Sequence, residues 1–215
     1  MDAKNYIAKR VAAELNDGDV VNLGIGLPSL VSHFIEPKSD ITFQSENGLL
    51  GLKPLNDNDV VDLSLTNAGG QPTGIELGGS CFDSATSFAM IRGGHIDVTV
   101  IGALQVDAAG SIANWIIPGK KVPGMGGAMD LVVGARKVIV AMLHTSNGVQ
   151  KIMNECSLPL TAYRQVNLII TELAVIEVTD GGLKLLEIAP HSSLSEVCSL
   201  TEARLDITKF NHEKV

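Results

Sequence analysis

Apolar residues at Ile7, Val11 and Leu15 recur every fourth position, the stripe of a helix, and Asn16-Asp17-Gly18 ends it. Asp19-Val20-Val21-Asn22-Leu23 then predicts a buried strand running into Gly24-Ile25-Gly26. A short helix is predicted over residues 28–35, opened by Pro28, which suits a first helical turn. Ile41-Thr42-Phe43-Gln44 predicts a second short strand that delivers Ser45-Glu46-Asn47-Gly48 at its carboxyl end. Residues 53–80, rich in Gly, Asn, Asp and Pro, read mostly as loop. Asp83 caps a helix through Ala85, Phe88 and Ile91 that closes at Gly93-Gly94.

The apolar run 96–101 predicts a core strand, and 111–117 a shorter one. A glycine-dense loop over 118–127 leads into a helix over 128–133. Residues 138–142 and 166–171 predict two more core strands. Residues 174–178 and 183–188, joined by Asp180-Gly181-Gly182, predict a hairpin. A last helix over 194–200 precedes a polar tail expected to fray.

Strands alternating with helical patterns predict an α/β fold with one open, mainly parallel sheet flanked by helices. The hairpin adds an antiparallel piece near the C-terminus. With no internal repeat and no low-complexity linker in 215 residues, a single domain over 1–215 is the economical organisation. Aromatics are 4% of the chain, so the core must be built mostly from Val, Ile, Leu, Ala and Met.

A net charge of −8 without any Lys/Arg run argues against nucleic acid as a partner. No stretch approaches the ~18 apolar residues of a membrane span, and Met1-Asp2-Ala3-Lys4-Asn5 does not open a signal peptide. Cys81, Cys156 and Cys198, odd in number and widely spaced, read as reduced thiols of a cytoplasmic protein.

Ligands of an open α/β sheet gather beyond the carboxyl ends of its strands. Three features fall there: Gly24-Ile25-Gly26-Leu27-Pro28, Gln44-Ser45-Glu46-Asn47-Gly48, and the glycine loop running to Asp130. Most carboxylates at strand ends are solvated or cap a turn. Glu46 is set apart by Ser45 and Asn47, which can hydrogen-bond a carboxylate, and by Gly48, which keeps the approach open. A nucleophilic carboxylate needs such polar support, since apolar burial would favour its protonated form.

Gly24-x-Gly26 after a strand, with an acidic residue ending the next one, also outlines a dinucleotide site; Ser29 at the third glycine position and Pro28 inside the turn weaken that reading. Gly124, Gly126 and Gly127 let successive backbone N–H groups face one anion at a helix start, although tight packing alone would explain such a loop. The histidines and cysteines show no metal-ligand spacing, so no metal is expected. There is no Walker loop and no Gly-x-Ser-x-Gly elbow. Trp115, among apolar neighbours, reads as core.

Together these segments resemble the beta-type subunit of the family I coenzyme A transferases, the acetate, butyrate–acetoacetate and 3-oxoacid enzymes. The resemblance spans nearly the whole chain. Its most specific parts are Ser45-Glu46-Asn47-Gly48 and Gly124-Met125-Gly126-Gly127-Ala128-Met129-Asp130. Others are Asn67-Ala68-Gly69-Gly70, Ala113-Asn114-Trp115 and Ser157-Leu158-Pro159-Leu160-Thr161.

The resemblance implies that Glu46 is the nucleophile of a ping-pong transfer through an acyl anhydride and a glutamyl-CoA thioester. It places Gly126 and Gly127 at the oxyanion, with Gly24, Gly26 and Asn47 as further pocket residues. It implies coenzyme A as substrate, no resident cofactor, and an alpha-type partner subunit with which the site is completed. Many relatives carry Met-Glu-His where this chain has Met142-Leu143-His144, so no charged role is assigned there. Two other readings stand beside this one: a non-catalytic CoA-binding partner or regulator of the same fold, and a sugar-phosphate isomerase of similar architecture.

Overall fold

A computed structural model describes residues 1–56, 58–119 and 124–210. Five parallel strands form the middle of its main sheet: β1 (Val20–Leu23), β2 (Thr42–Ser45), β5 (Val98–Ile101), β8 (Lys137–Ala141) and β12 (Leu168–Ile170). They lie in the order β12-β8-β5-β1-β2. Beyond β12 the hairpin of β13 (Ala174–Thr179) and β14 (Gly182–Ile188) continues the sheet antiparallel, and β15 (Leu205–Asp206) ends it. Beyond β2, β3 (Leu49–Lys53) and β4 (Gly74–Cys81) add a second antiparallel edge.

Smaller pieces lie outside this sheet. β6 (Gln105–Asp107), β7 (Ile112–Ala113) and β11 (Ile152–Met153) form a three-stranded patch. β9 (Thr145–Ser146) and β10 (Val149–Gln150) form a short ribbon.

Strand alternation explains why the middle of the sheet is buried on both faces. On β8, Val138 and Val140 point into one apolar cluster while Ile139 and Ala141 point into the other. On β12, Ile169 joins the first and Leu168 and Ile170 the second. Helix α1 (Ala3–Ala12), capped by the Asp2 carboxylate on the Asn5 N–H, covers the second face with Ile7, Ala8 and Val11. Each large apolar side chain removed from water contributes roughly 1.5–3 kcal/mol. Helix α4 (Leu194–Leu200) covers the first face through Val197. Helices α2 (Ser84–Arg92) and α3 (Ala128–Gly134) pack on each other through Ile91, Phe88 and Leu131.

The predicted sheet is therefore present, with a second antiparallel piece that the sequence did not announce. The reading of 53–80 as mostly loop holds for the described residues of 54–73, while β4 occupies the end of that range. β4 is a sheet edge whose only well-buried position is Gly74, so it carries no alternating apolar signal. Its partner β3 bends at Gly51, where φ is +78° and the register shifts. The strand predicted over 111–117 is only β7, because it joins the small patch. The helix over 28–35 is a 3-10 helix, Pro28–Phe34. Part of the predicted glycine loop, 120–123, lies outside the described residues, as do His212 and the end of the polar tail.

Candidate active site

β2 and β3 are antiparallel neighbours, with Ser45 opposite Leu49, so Glu46-Asn47-Gly48 is a three-residue hairpin loop. The loop closes through the Gly48 N–H, which donates to the Ser45 carbonyl at 3.0 Å. Gly48 has φ +112°, and its carbonyl accepts the Phe82 N–H at 2.9 Å. A side chain at Gly48 would run into the Phe82 carbonyl. Gly48 thus serves a close backbone crossing; an open approach to Glu46 is not what requires it.

Glu46 is half-buried at the opening turn of α3. Its Oε1 accepts the Gly127 N–H at 3.2 Å. Amide groups at a helix start have no partner within the helix and favour a negative charge. A Cβ on Gly127 would lie 2.5 Å from Glu46 Oε2 and 2.9 Å from the Phe88 ring, and one on Gly126 would lie 3.5 Å from Oε1. The glycines therefore let the backbone reach the carboxylate. Arg92 on α2 pairs with Asp130 on α3 at 2.7 Å, which ties the two helices together beside this contact.

The flanking residues behave differently from expectation. Ser45 Oγ accepts the Ala68 N–H at 3.0 Å, and Asn47 Nδ2 donates to the Thr66 carbonyl at 2.7 Å. Both side chains bond the loop over 66–70, with no hydrogen bond to Glu46 among the described residues. The chain reverses at this turn, and a linear motif does not reveal which way its neighbours point.

Gly24 and Gly26 lie at the end of β1. The Gly24 N–H donates to the Val100 carbonyl at 2.8 Å, and a Cβ there would be 3.1 Å from that oxygen. Gly26, with φ +87°, presents its carbonyl to the Ser29 hydroxyl at 2.7 Å and starts the 3-10 helix. Both glycines line a cavity of about 170 Å³, together with Gln44, Ser45, Lys53 and Asn67. The cavity adjoins the Glu46 loop through Ser45; Glu46 itself is not among its lining residues. Phe88 and the 66–68 backbone border the site; the sequence marks Phe88 only as a helix position and Asn67-Ala68 only as part of the resemblance, neither with a role beside Glu46. Their partnerships with this loop are long-range and cannot be read from local spacing.

Elsewhere, titratable groups serve the fold. His144, fully buried, bridges Thr171 and Thr201 at 2.9 Å on each ring nitrogen. Burial pushes its pKa down to about 4. Burial, with Asp107 beside it, pushes the Cys156 thiol up to about 12. Among the described residues no three His, Cys, Asp or Glu side chains group as a metal site, and no helix is long and apolar enough to cross a membrane.

The family described as "Coenzyme A transferase" matches residues 4–199. The beta subunit of the acetate CoA-transferase of Escherichia coli (strain K12) is 55% identical over 208 residues, which is 96% of this chain and 95% of that one. The matching subunit of the succinyl-CoA:3-ketoacid coenzyme A transferase of Helicobacter pylori (strain ATCC 700392 / 26695) is 50% identical over 205 residues, 95% of this chain and 99% of that one. Among solved structures, the acyl-CoA transferase YdiF of Escherichia coli O157:H7 superposes with a TM-score of 0.76 at 20% identity, a likeness of fold. That superposition covers 96% of this chain and 42% of the YdiF chain, so this chain spans about two fifths of its length.

Proposed function

The chain belongs to the coenzyme A transferase family, as a chain of the beta type, and from that premise we propose that it carries the nucleophile of a CoA transfer between short carboxylic acids. The observation that supports this reading is the hydrogen bond from the Gly127 N–H to the Glu46 carboxylate, at a hairpin tip beyond the carboxyl end of the sheet. A carboxylate so placed is accessible, and a backbone donor is already fixed beside it.

The chemistry follows in balanced steps. A Glu46 carboxylate oxygen attacks the thioester carbonyl of an acyl-CoA. The carbon–sulfur bond breaks, leaving an acyl-glutamyl anhydride and CoA thiolate. The thiolate attacks the glutamyl carbonyl, the first carboxylic acid departs as carboxylate, and a glutamyl-CoA thioester remains. A second carboxylate reverses the sequence. One thioester replaces another, so no nucleoside triphosphate is consumed.

Each attack builds negative charge on an oxygen. The Gly127 N–H, with Gly126 next to it, is the donor in reach, and removing one such donor typically costs about 10²–10³ in rate. Gly24, Gly26 and Asn47 would border the substrate space through the cavity and the 66–70 loop. Remote parts of CoA supply binding energy that is used at the transition state.

The names of the relatives support acetate, succinate and a 3-ketoacid as acids; acetoacetate and butyrate belong to the same proposal as short carboxylic acids. Both relatives are named as subunits, which supports an alpha-type partner chain. No resident cofactor enters any of these steps.

Mass spectrometry of the complex with the alpha-type partner, given acyl-CoA and no acceptor acid, tests this. A CoA-sized adduct on the Glu46 peptide, lost in Glu46→Ala, is expected. Exchange of CoA between acids without any adduct would refute the covalent role. Retention of CoA binding without exchange in the unmutated complex would favour a regulator.

A further inference from the structure

Four buried polar residues lie beneath the Glu46 loop, and the transfer steps leave them unused. Asn22 on β1 is 2% exposed, Gln44 and Ser45 on β2 are 1% and 5%, and Ser87 on α2 is 0%. Asn22 Nδ2 donates to Gln44 Oε1 at 2.6 Å. Gln44 Nε2 donates to Ser87 Oγ at 2.8 Å and to the Ser45 carbonyl at 3.1 Å. The Ser87 hydroxyl donates to that same carbonyl at 3.4 Å. The Gly48 N–H reaches it as well, at 3.0 Å.

That carbonyl belongs to the peptide bond joining Ser45 to Glu46. Three donors from three different residues converge on this carbonyl, the Ser87 hydroxyl being the most distant, and together they restrain where the Glu46 backbone begins. Burying polar side chains costs free energy unless each is paired. A fully paired set inside a core instead specifies one arrangement against its neighbours. An apolar core would have held these elements together without such demands.

The next residue on α2 completes the geometry. Phe88 packs against Gly127, the donor to Glu46. A single turn of α2 therefore grips the peptide that carries the carboxylate and seats the N–H that faces it. We propose that Ser87 and Gln44 are positioning residues for the transfer reaction, holding Glu46 at its working distance from the Gly127 N–H. The proposal rests on the reading of Glu46 as the nucleophile.

The test uses the complex with its alpha-type partner, carrying Ser87→Ala, Gln44→Met or, as a control, Val197→Ala. Val197 is fully buried in α4 and lies in a different apolar cluster. The rate of adduct formation on the Glu46 peptide is followed by quenched-flow mass spectrometry, alongside kcat, KM and Tm. Ser87→Ala and Gln44→Met are expected to slow adduct formation roughly 10- to 100-fold, as small misplacements of reacting groups do. KM for acyl-CoA should stay within about twofold in Ser87→Ala, whose side chain does not line the cavity beside Glu46. Val197→Ala should lower Tm with adduct formation unchanged.

Adduct formation at the unmutated rate in Ser87→Ala and Gln44→Met would overturn the proposal. So would an equal slowing in Val197→Ala, since rates would then follow stability alone. An unmutated complex that exchanges CoA with no adduct would instead overturn the nucleophile itself.

Discussion

Gly127 touches Glu46 in two ways: its N–H donates to Oε1 at 3.2 Å, and a Cβ at the same residue would stand 2.5 Å from Oε2. The same absent side chain leaves room for the Phe88 ring at 2.9 Å. Donor and clearance thus come from one residue.

Gly127→Ala separates chemistry from folding. Gly127 has φ −83°, which alanine adopts without strain, so Tm should fall only slightly. The added methyl must displace the carboxylate or the ring. Turnover in the complex is expected to drop by roughly 10²–10³, the effect of losing one aligned donor. A CoA-exchange assay read beside a thermal melt checks both halves; unchanged turnover would show that Glu46 works away from this N–H.

Gly48→Ala acts on the fold. Gly48 combines φ +112° with a crossing by the Phe82 carbonyl, so a methyl group meets both strain and collision. A loss of about 3 kcal/mol or more is expected. Urea unfolding gives the value, and a loss below ~1 kcal/mol would mean the hairpin relaxes freely.

Some of this was legible from sequence and some was not, for physical reasons. The apolar run into Gln44 stops at Glu46, so a carboxylate at a strand's carboxyl end could be read directly. Gly126 and Gly127 were legible as a backbone anion loop, and they do meet that carboxylate. The roles of Ser45 and Asn47 were not, since a three-residue turn sends adjacent side chains to the 66–70 loop. β4 was hidden because glycines and an exposed edge erase the alternation that marks a strand. Asn22 and Gln44 did carry a signal, being amides inside apolar strands; Ser87, the partner of Gln44, lies 43 positions from it, beyond the reach of any local pattern.

Asn47→Ala tests whether that residue acts on substrate or on the loop. Its bond to the Thr66 carbonyl, at 2.7 Å, is exposed. Such a bond contributes about 1 kcal/mol, so its loss should make local opening roughly fivefold more populated. Hydrogen exchange at the 66–70 amides should speed accordingly, with a similarly modest fall in turnover. A fall beyond ~100-fold, with exchange unaltered, would assign Asn47 directly to the reaction.

His144 gives the fold a pH dependence of defined sign. The Thr201 hydroxyl donates to the Val197 carbonyl at 2.7 Å, so its oxygen faces His144 Nε2 as an acceptor, while Nδ1 lies 2.9 Å from the Thr171 hydroxyl, which has a second, longer acceptor in the Ala174 carbonyl at 3.3 Å. Among the described residues no carboxylate bonds either ring nitrogen, and burial favours the neutral ring. Burial lowers its pKa from 6.5 to about 4, with Lys151 adding to the effect and Glu196 opposing it. Between those values the unfolded chain binds more protons than the native one, so stability is lost as pH falls from 6.5 towards 4. The loss between pH 7.5 and 5.0 is expected to be roughly 2 kcal/mol from this residue. Urea unfolding at both pH values measures it. His144→Gln should be less stable at about pH 7.5 and lose less on acidification; an equal loss in both proteins would place the acid sensitivity elsewhere.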